Sequence, residues 1–168
     1  MACETWQRVH LDYCGPFLHK YYALVMFDSF PTWPEVFLTD KPNADFTLRA
    51  LRKSFSRNGV PIAIVTDNGT HFAASCVTSW LKGIGCHHLF TAPRHPRSNG
   101  PAKQFVCTLK RAITLCAPTS FNELDKSIDN FLLQYRNCTH STTGDTPAKL
   151  FKASALRSNL LCIDTAEV

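Results

Sequence analysis

Apolar and polar positions alternate over residues 6–13, WQRVHLDY, the period-two pattern of a half-buried strand. Gly15-Pro16 is then read as the turn that ends it. Residues 21–28, YYALVMFD, are almost wholly apolar and predict a central strand covered on both sides. A short third strand, 35–38, is expected after the breakers Pro31 and Pro34. The spacing turns helical over 44–57, where Leu48, Leu51 and Phe55 recur on one side, with Asn43 as cap and Asn58-Gly59 as stop. Residues 61–66, PIAIVT, predict a strand broken by Asp67-Asn68-Gly69. A helix over 73–82, closed by Gly83 and Gly85, and a last strand over 86–90 follow. Beyond a proline-rich loop, 91–100, a helix is expected over 101–116, with Asn99 as cap and Pro101 in the first turn. The stretch 119–137 is amphipathic, with Phe121, Leu124, Ile128, Phe131, Leu132 and Tyr135 on its predicted buried face. The tail is polar from Thr139 and helical again from Pro147.

Three antiparallel strands followed by alternating helices and strands predict an α/β fold. We expect a mixed central sheet of about five strands flanked by helices, with the first strand central and the Asp67 strand beside it. Residues 1–168 read as one domain, its core at about 6–137 and its tail at 138–168. At 168 residues the chain buries a sizeable core. Composition is that of a globular protein, 45 % apolar and 18 % charged. The net charge of +5 permits a nucleic-acid partner without demanding one. None of the eight cysteines lies in a CxxC spacing, so they are read as reduced thiols of an intracellular protein. The longest apolar run is far too short to span a membrane. The Met1-Ala2-Cys3 start, with no signal peptide and close to the first strand, is read as that of a domain cut from a longer protein.

The candidate chemistry lies at Asp12, Asp67 and Lys103. Between Asp67 and Lys103 lie 35 residues. Four segments in order carry a resemblance: Trp6-Gln7-Arg8-Val9-His10-Leu11-Asp12-Tyr13-Cys14-Gly15-Pro16; Val65-Thr66-Asp67-Asn68-Gly69-Thr70-His71-Phe72; His95-Pro96-Arg97-Ser98-Asn99-Gly100-Pro101-Ala102-Lys103; and Tyr135-Arg136-Asn137 through Thr146-Pro147-Ala148, followed by Leu156-Arg157. Together they resemble the integrase catalytic cores of retroviruses and gypsy-type long-terminal-repeat retrotransposons. The resemblance implies a ribonuclease H-like fold and an Asp, Asp, Glu triad holding two divalent metals. Here the Glu position is Lys103. The sequence also departs at Arg94, where the family commonly has an aromatic, at Gln104, where it commonly has Arg, and at Pro101.

Two-metal phosphodiester chemistry needs carboxylate oxygens, and an ammonium offers none. The expectation is therefore a pseudo-enzyme: a domesticated integrase core with no intact catalytic set, no cofactor, and its ancestral two Mg/Mn site lost. Its work would be homodimerisation and binding of an unidentified host protein, in or near the nucleus, with Phe121, Phe131 and Tyr135 as dimer-interface candidates. Arg94, Arg97, Lys110 and Arg111 are candidates for weak nucleic-acid binding. The same basic positions also fit a solvated face, as do Arg49, Arg52, Lys53 and Arg57. Asp67-Asn68-Gly69 alone fits a plain turn, Asp12 a strand-end hydrogen-bonding residue, and Lys103 a solvated side chain that touches neither aspartate. His87 and His88 lack a second ligand pair at metal-site spacing. A rival reading keeps activity by enlisting another acid, with Asp28 or Glu123 the nearest to hand. A third is nucleic-acid binding without cleavage.

Overall fold

A computed structural model describes residues 4–92 and 100–153. Five strands form one sheet: β1 Arg8–Phe17, β2 Tyr21–Asp28, β3 Trp33–Thr39, β4 Ala63–Thr66 and β5 His87–Phe90. Their spatial order is β3-β2-β1-β4-β5. The first three run as an antiparallel meander, and β4 and β5 join in parallel. The helices are α1 Ala44–Asn58, α2 Thr70–Ala73, α3 Ser75–Gly83, α4 Gly100–Cys116, α5 Phe121–Asn137 and α6 Pro147–Lys152.

Strand alternation divides the core in two. Val9, Leu11, Leu24, Met26 and Ile64 face one side and pack with Leu51 and Phe55 of α1 and Val77 and Leu81 of α3. Cys14, Ala23, Val25 and Phe27 face the other and meet α4 and α5 through Phe105, Leu109, Leu124 and Ile128. β2 is covered on both faces, as predicted for 21–28, and β1 is the middle strand of the sheet.

Several boundaries differ from the sequence reading. Gly15-Pro16 does not end β1 but lies inside it, at a register shift between Cys14 and Phe17. A bulge absorbs the missing proline N–H. A Cβ at Gly15 would stand 2.8 Å from the Tyr21 carbonyl oxygen, so only glycine fits at its φ of +135°. Pro34 sits within β3, which tolerates it as an edge strand. The helix expected over 73–82 is two helices, α2 and α3, separated at Ala74 by extended backbone (ψ 137). Asn99, the expected cap of α4, lies outside the described residues. α5 starts at Phe121, two residues after the expected start at Thr119, with Ser120 as its cap. On α5 only Leu124, Ile128 and Leu132 are fully buried; Phe131 and Tyr135 are half-buried, and Phe121 is 40 % exposed.

The tail helix α6 is packed onto the body. Phe151 stacks on Trp33 at 4.6 Å and meets the edge of Trp6 at 5.5 Å. The Arg136 guanidinium covers Trp33 at 4.3 Å. Ala148 is fully buried.

Candidate functional site

Asp12 falls between Leu11 and Tyr13, which face α1, so its side chain takes the α4 side of β1 together with Cys14. The parallel pairing of β1 with β4 matches Val9 to Ile64 and His10 to Val65. The same offset carries Asp12 to Asp67, just past the end of β4. The two aspartates are therefore neighbours by register. Asp12 is half-buried and Asp67 exposed. One Asp67 carboxylate oxygen accepts the Gly69 N–H at 2.8 Å, which fixes the turn into α2.

Helix α4 brings the third position over this corner. Ala102, Phe105, Val106, Leu109 and Ile113 bury its apolar side against the sheet. Lys103 and Lys110, seven residues apart and so on one helix face, are both exposed. Burial raises the Asp12 carboxyl above its ordinary range, and the negative charge of Asp67 raises it further. The Tyr13 backbone hydrogen bond and then the ammoniums of Lys103 and Lys110 pull the other way. Lys103 is thus within electrostatic reach of Asp12, yet no salt bridge joins it to either aspartate among the described residues. Among the described residues, two carboxylates and two ammoniums leave the corner formally neutral.

The role of Lys110 was not read from the sequence, which placed it on a phosphate strip. Its i, i+7 relation to Lys103 was the available signal. Lys110 also acts on Cys14, whose thiol burial pushes up to about 12, so that side chain stays a protonated apolar filler. Arg111 is exposed on the same helix. Arg94 and Arg97 lie outside the described residues.

The acids considered as substitutes are engaged elsewhere. Asp28 follows Leu24 and Met26 in alternation and so points to the α1 side, opposite Asp12. It is 3 % exposed and accepts the N–H groups of Trp6 at 2.5 Å and Phe30 at 3.1 Å. Burial pushes its carboxyl up to about 6. Glu123 closes a capping box on α5, accepting from the Thr119 N–H and hydroxyl while its own N–H donates to Ser120. Of the two histidines, His87 is exposed and His88 shares a hydrogen bond with the Thr66 hydroxyl at 2.8 Å. Among the described residues no group of three His, Cys, Asp or Glu side chains gathers at metal-binding distance.

Of the interface candidates, Phe131 and Tyr135 turn toward their own core, with ring centroids 5.9 and 5.0 Å from Phe105. Phe121 leans on Tyr21 at 5.0 Å and leaves the rest of its ring open.

Comparison with known proteins meets this geometry. Residues 3–96 match the family model described as integrase core domain. An uncharacterized protein of Caenorhabditis elegans is 36 % identical over 157 residues, 92 % of this chain and 12 % of that protein. The Gag-Pol polyprotein of Walleye dermal sarcoma virus is 38 % identical over 93 residues, 55 % of this chain and 5 % of its own length. The chain therefore spans a small part of the length of these relatives. The HTLV-2 integrase catalytic core domain, solved in complex with magnesium, superposes with a TM-score of 0.73 at 18 % identity, over 88 % of this chain and 97 % of that one. The BIV integrase catalytic core domain gives 0.73 at 16 % identity, over 97 % and 99 %. The architecture is ribonuclease H-like.

Proposed function

Because this chain belongs to the integrase core domain family, we propose that it is a non-cleaving member, a folded module for self-association and partner binding. The observation that carries this reading is the exposed Lys103 ammonium within electrostatic reach of Asp12, with Lys110 acting on the same carboxylate. Two-ion phosphoryl transfer needs carboxylates that bridge and flank both metals. Asp12 and Asp67 supply two of them. The third position offers N–H donors and no acceptor, and the two ammoniums cancel the charge that would draw divalent ions in. The residues present fit a single weakly held cation at most, not a two-ion set. Asp28 faces the other side of the sheet, and Glu123 is occupied in a cap.

The module reading draws support from what surrounds the corner. The apolar side of α4, Ala102, Phe105, Val106, Leu109 and Ile113, is buried against the sheet and α5. Phe121 offers an exposed aromatic on α5, and the HTLV-2 core has been solved in a dimeric form. A homodimer, a host protein partner and a nuclear setting belong to this proposal. No helix among the described residues is long and apolar enough to cross a membrane.

The test is a nicking and strand-transfer assay on labelled DNA with Mg²⁺ or Mn²⁺. No product is expected. Product that disappears in Asp67→Ala would overturn the proposal.

A second reading, nucleic-acid binding without cleavage, is favoured by one observation. Lys103, Lys110 and Arg111 are exposed on one helix and form no salt bridge among the described residues. Its measure is DNA affinity across a salt series. A steep salt slope supports phosphate contacts, and no binding at low salt removes them.

A further inference from the structure

The two outer edges of the sheet differ. At β3 the edge is guarded. It carries Pro34, whose carbonyl oxygen accepts an N–H of Arg136 at 2.5 Å, and Phe151 of α6 lies on Trp33. At the other end, β5 is the last strand among the described residues. Its sequence, His87-His88-Leu89-Phe90, includes no proline and no lysine, and Leu89 and Phe90 are 42 and 43 % exposed. Natural sheets usually blunt such an edge, because it offers unpaired main-chain groups to another strand.

The direction of those groups follows from the pairing. The N–H groups of His87 and Thr91 donate to the Ile62 and Thr66 carbonyls at 2.9 and 2.8 Å. β4 and β5 run parallel, with Ala63 opposite His87 and Thr66 opposite Phe90. Along such a strand the main-chain groups of successive residues point to alternate sides. His88 and Phe90 therefore turn their N–H and C=O away from β4, toward the open edge.

Beside this edge runs a groove of about 460 Å³. One wall is β5, with Cys86, His88 and Phe90 on the side of the sheet that α3 covers: Cys86 belongs to that core, and His88 pairs with Ile64. The other wall is α3, with Thr78 and Lys82 one turn apart. The Phe90 ring lies 4.2 Å from the His88 ring. His88 is itself fixed. The Thr66 hydroxyl donates to the Asp67 carbonyl at 2.8 Å, so the His88 Nε2 N–H donates to the Thr66 oxygen. Burial holds this imidazole below its ordinary range, so it is neutral at pH 7. Lys82 is exposed and forms no salt bridge among the described residues. Among those residues it is also the one Lys, Arg, Asp or Glu side chain that lines the groove.

We propose that β5 and this groove take an extended peptide of a partner protein as a sixth strand, its apolar side chains alternating against His88 and Phe90 and a carboxylate near one end meeting Lys82. Main-chain pairing supplies affinity, and the groove selects the side chains. Lys82 stands beside the turn that enters β5, so the acid belongs at the end of the peptide nearest Cys86. This gives the partner-binding role proposed above a surface and a chemistry. The non-cleaving reading does not depend on it, since the nicking assay tests that reading by itself.

The experiment is selection of a phage-displayed random octapeptide library on the full chain, followed by amide NMR titration of the chain with the enriched peptide in synthetic form. Enriched sequences should alternate apolar residues and carry Asp or Glu at one end. Saturable shifts should centre on residues 86–91 and on α3. Phe90→Pro removes an outward N–H that β4 does not use, and should weaken the peptide several-fold. If that variant fails to fold, Lys82→Glu, at an exposed helical position, still decides. It should weaken the acidic peptide and strengthen the same peptide with lysine in place of its acid, a reversal that a merely structural role for Lys82 would not produce. No enriched peptide, enrichment without an acid, shifts elsewhere, or unchanged affinity in Lys82→Glu overturns the proposal. So does a parent dimer, seen by sedimentation, that Phe90→Pro dissociates, because the edge would then belong to a second copy of the chain.

Discussion

On the α1 face of the sheet, Asp28 and Glu35 each have their own donors. Asp28 takes two backbone N–H groups; Glu35 takes the Trp33 indole at 3.1 Å and the Asn58 amide at 3.2 Å, with Arg136 at 3.7 Å. On the α4 face, Asp12 is half-buried beside Asp67 and looks toward two ammoniums with which no salt bridge forms among the described residues. One face spends its polar groups on its own structure, and the other leaves them open beside a sound apolar seam. A satisfied network adds rigidity, whereas an open cluster of coupled charges is a candidate ligand site. Packing and chemistry are therefore separable along a single helix: α4 turns Phe105 and Leu109 to the core and Lys103 and Lys110 to the site.

The contrast breaks most visibly through Trp33. It is 1 % exposed and lies between Arg136 and Phe151. Trp33→Ala is expected to cost about 3–5 kcal/mol, read from the urea midpoint. Lys103→Ala, on the open face, should move the same midpoint by less than about 0.5 kcal/mol. Equal losses from the two substitutions would mean that the faces do not differ in kind.

Asp28 gives the next effect, through pH. Its carboxyl stands at about 6 in the fold against the ordinary 3.8. Folding therefore takes up a proton between those values. The stabilising contribution is full below the lower value and is lost as pH rises through the upper one. On the order of 2–3 kcal/mol of stability should disappear across that interval. Asp28→Asn should flatten the slope. An unchanged slope in that variant would assign the titration to another group.

Asp12 sharpens the comparison at lower amplitude. Burial first, and Asp67 second, disfavour its charged form, while the Tyr13 backbone hydrogen bond and the two lysines favour it. The raising causes prevail, so Asp12→Asn, which carries no charge to desolvate, should shift stability toward greater values near neutral pH. A loss of several kcal/mol would show that Asp12 is tied into the structure as firmly as Asp28.

Much of this contrast was legible in the sequence. Period two in 6–13 and the apolar run 21–28 placed β1 and β2, and the spacing of Asp12, Asp67 and Lys103 placed the corner. Local pattern failed where tertiary context decided. Gly15-Pro16 reads as a turn, yet a bulge carries the strand through it. Residues 73–82 read as one helix, yet Ala74 takes extended backbone between α2 and α3. Phe121 has the period of a buried position, but it opens the first turn of α5, beyond the reach of the core. Phe151 gave no signal at all, because its partners Trp6 and Trp33 are more than a hundred residues away.

Lys103→Glu is the smallest expected change and the most direct probe of the open face. Without metal, a third acid beside Asp12 and Asp67 adds like-charge repulsion at an exposed position, and stability should fall by less than about 0.5 kcal/mol. With Mn²⁺ the sign should reverse, because three carboxylates can hold a hard cation that two carboxylates and an ammonium cannot. At free Mn²⁺ equal to its Kd the gain is about 0.4 kcal/mol, growing with concentration as mass action requires. Thermal unfolding of the variant and parent, scanned across Mn²⁺ concentration, separates the cases. A rise confined to the variant means that the corner keeps the geometry of a metal site and lacks only the anion. A parent that rises as much as the variant means that Lys103 does not exclude the ion, and the non-cleaving assignment loses its physical basis.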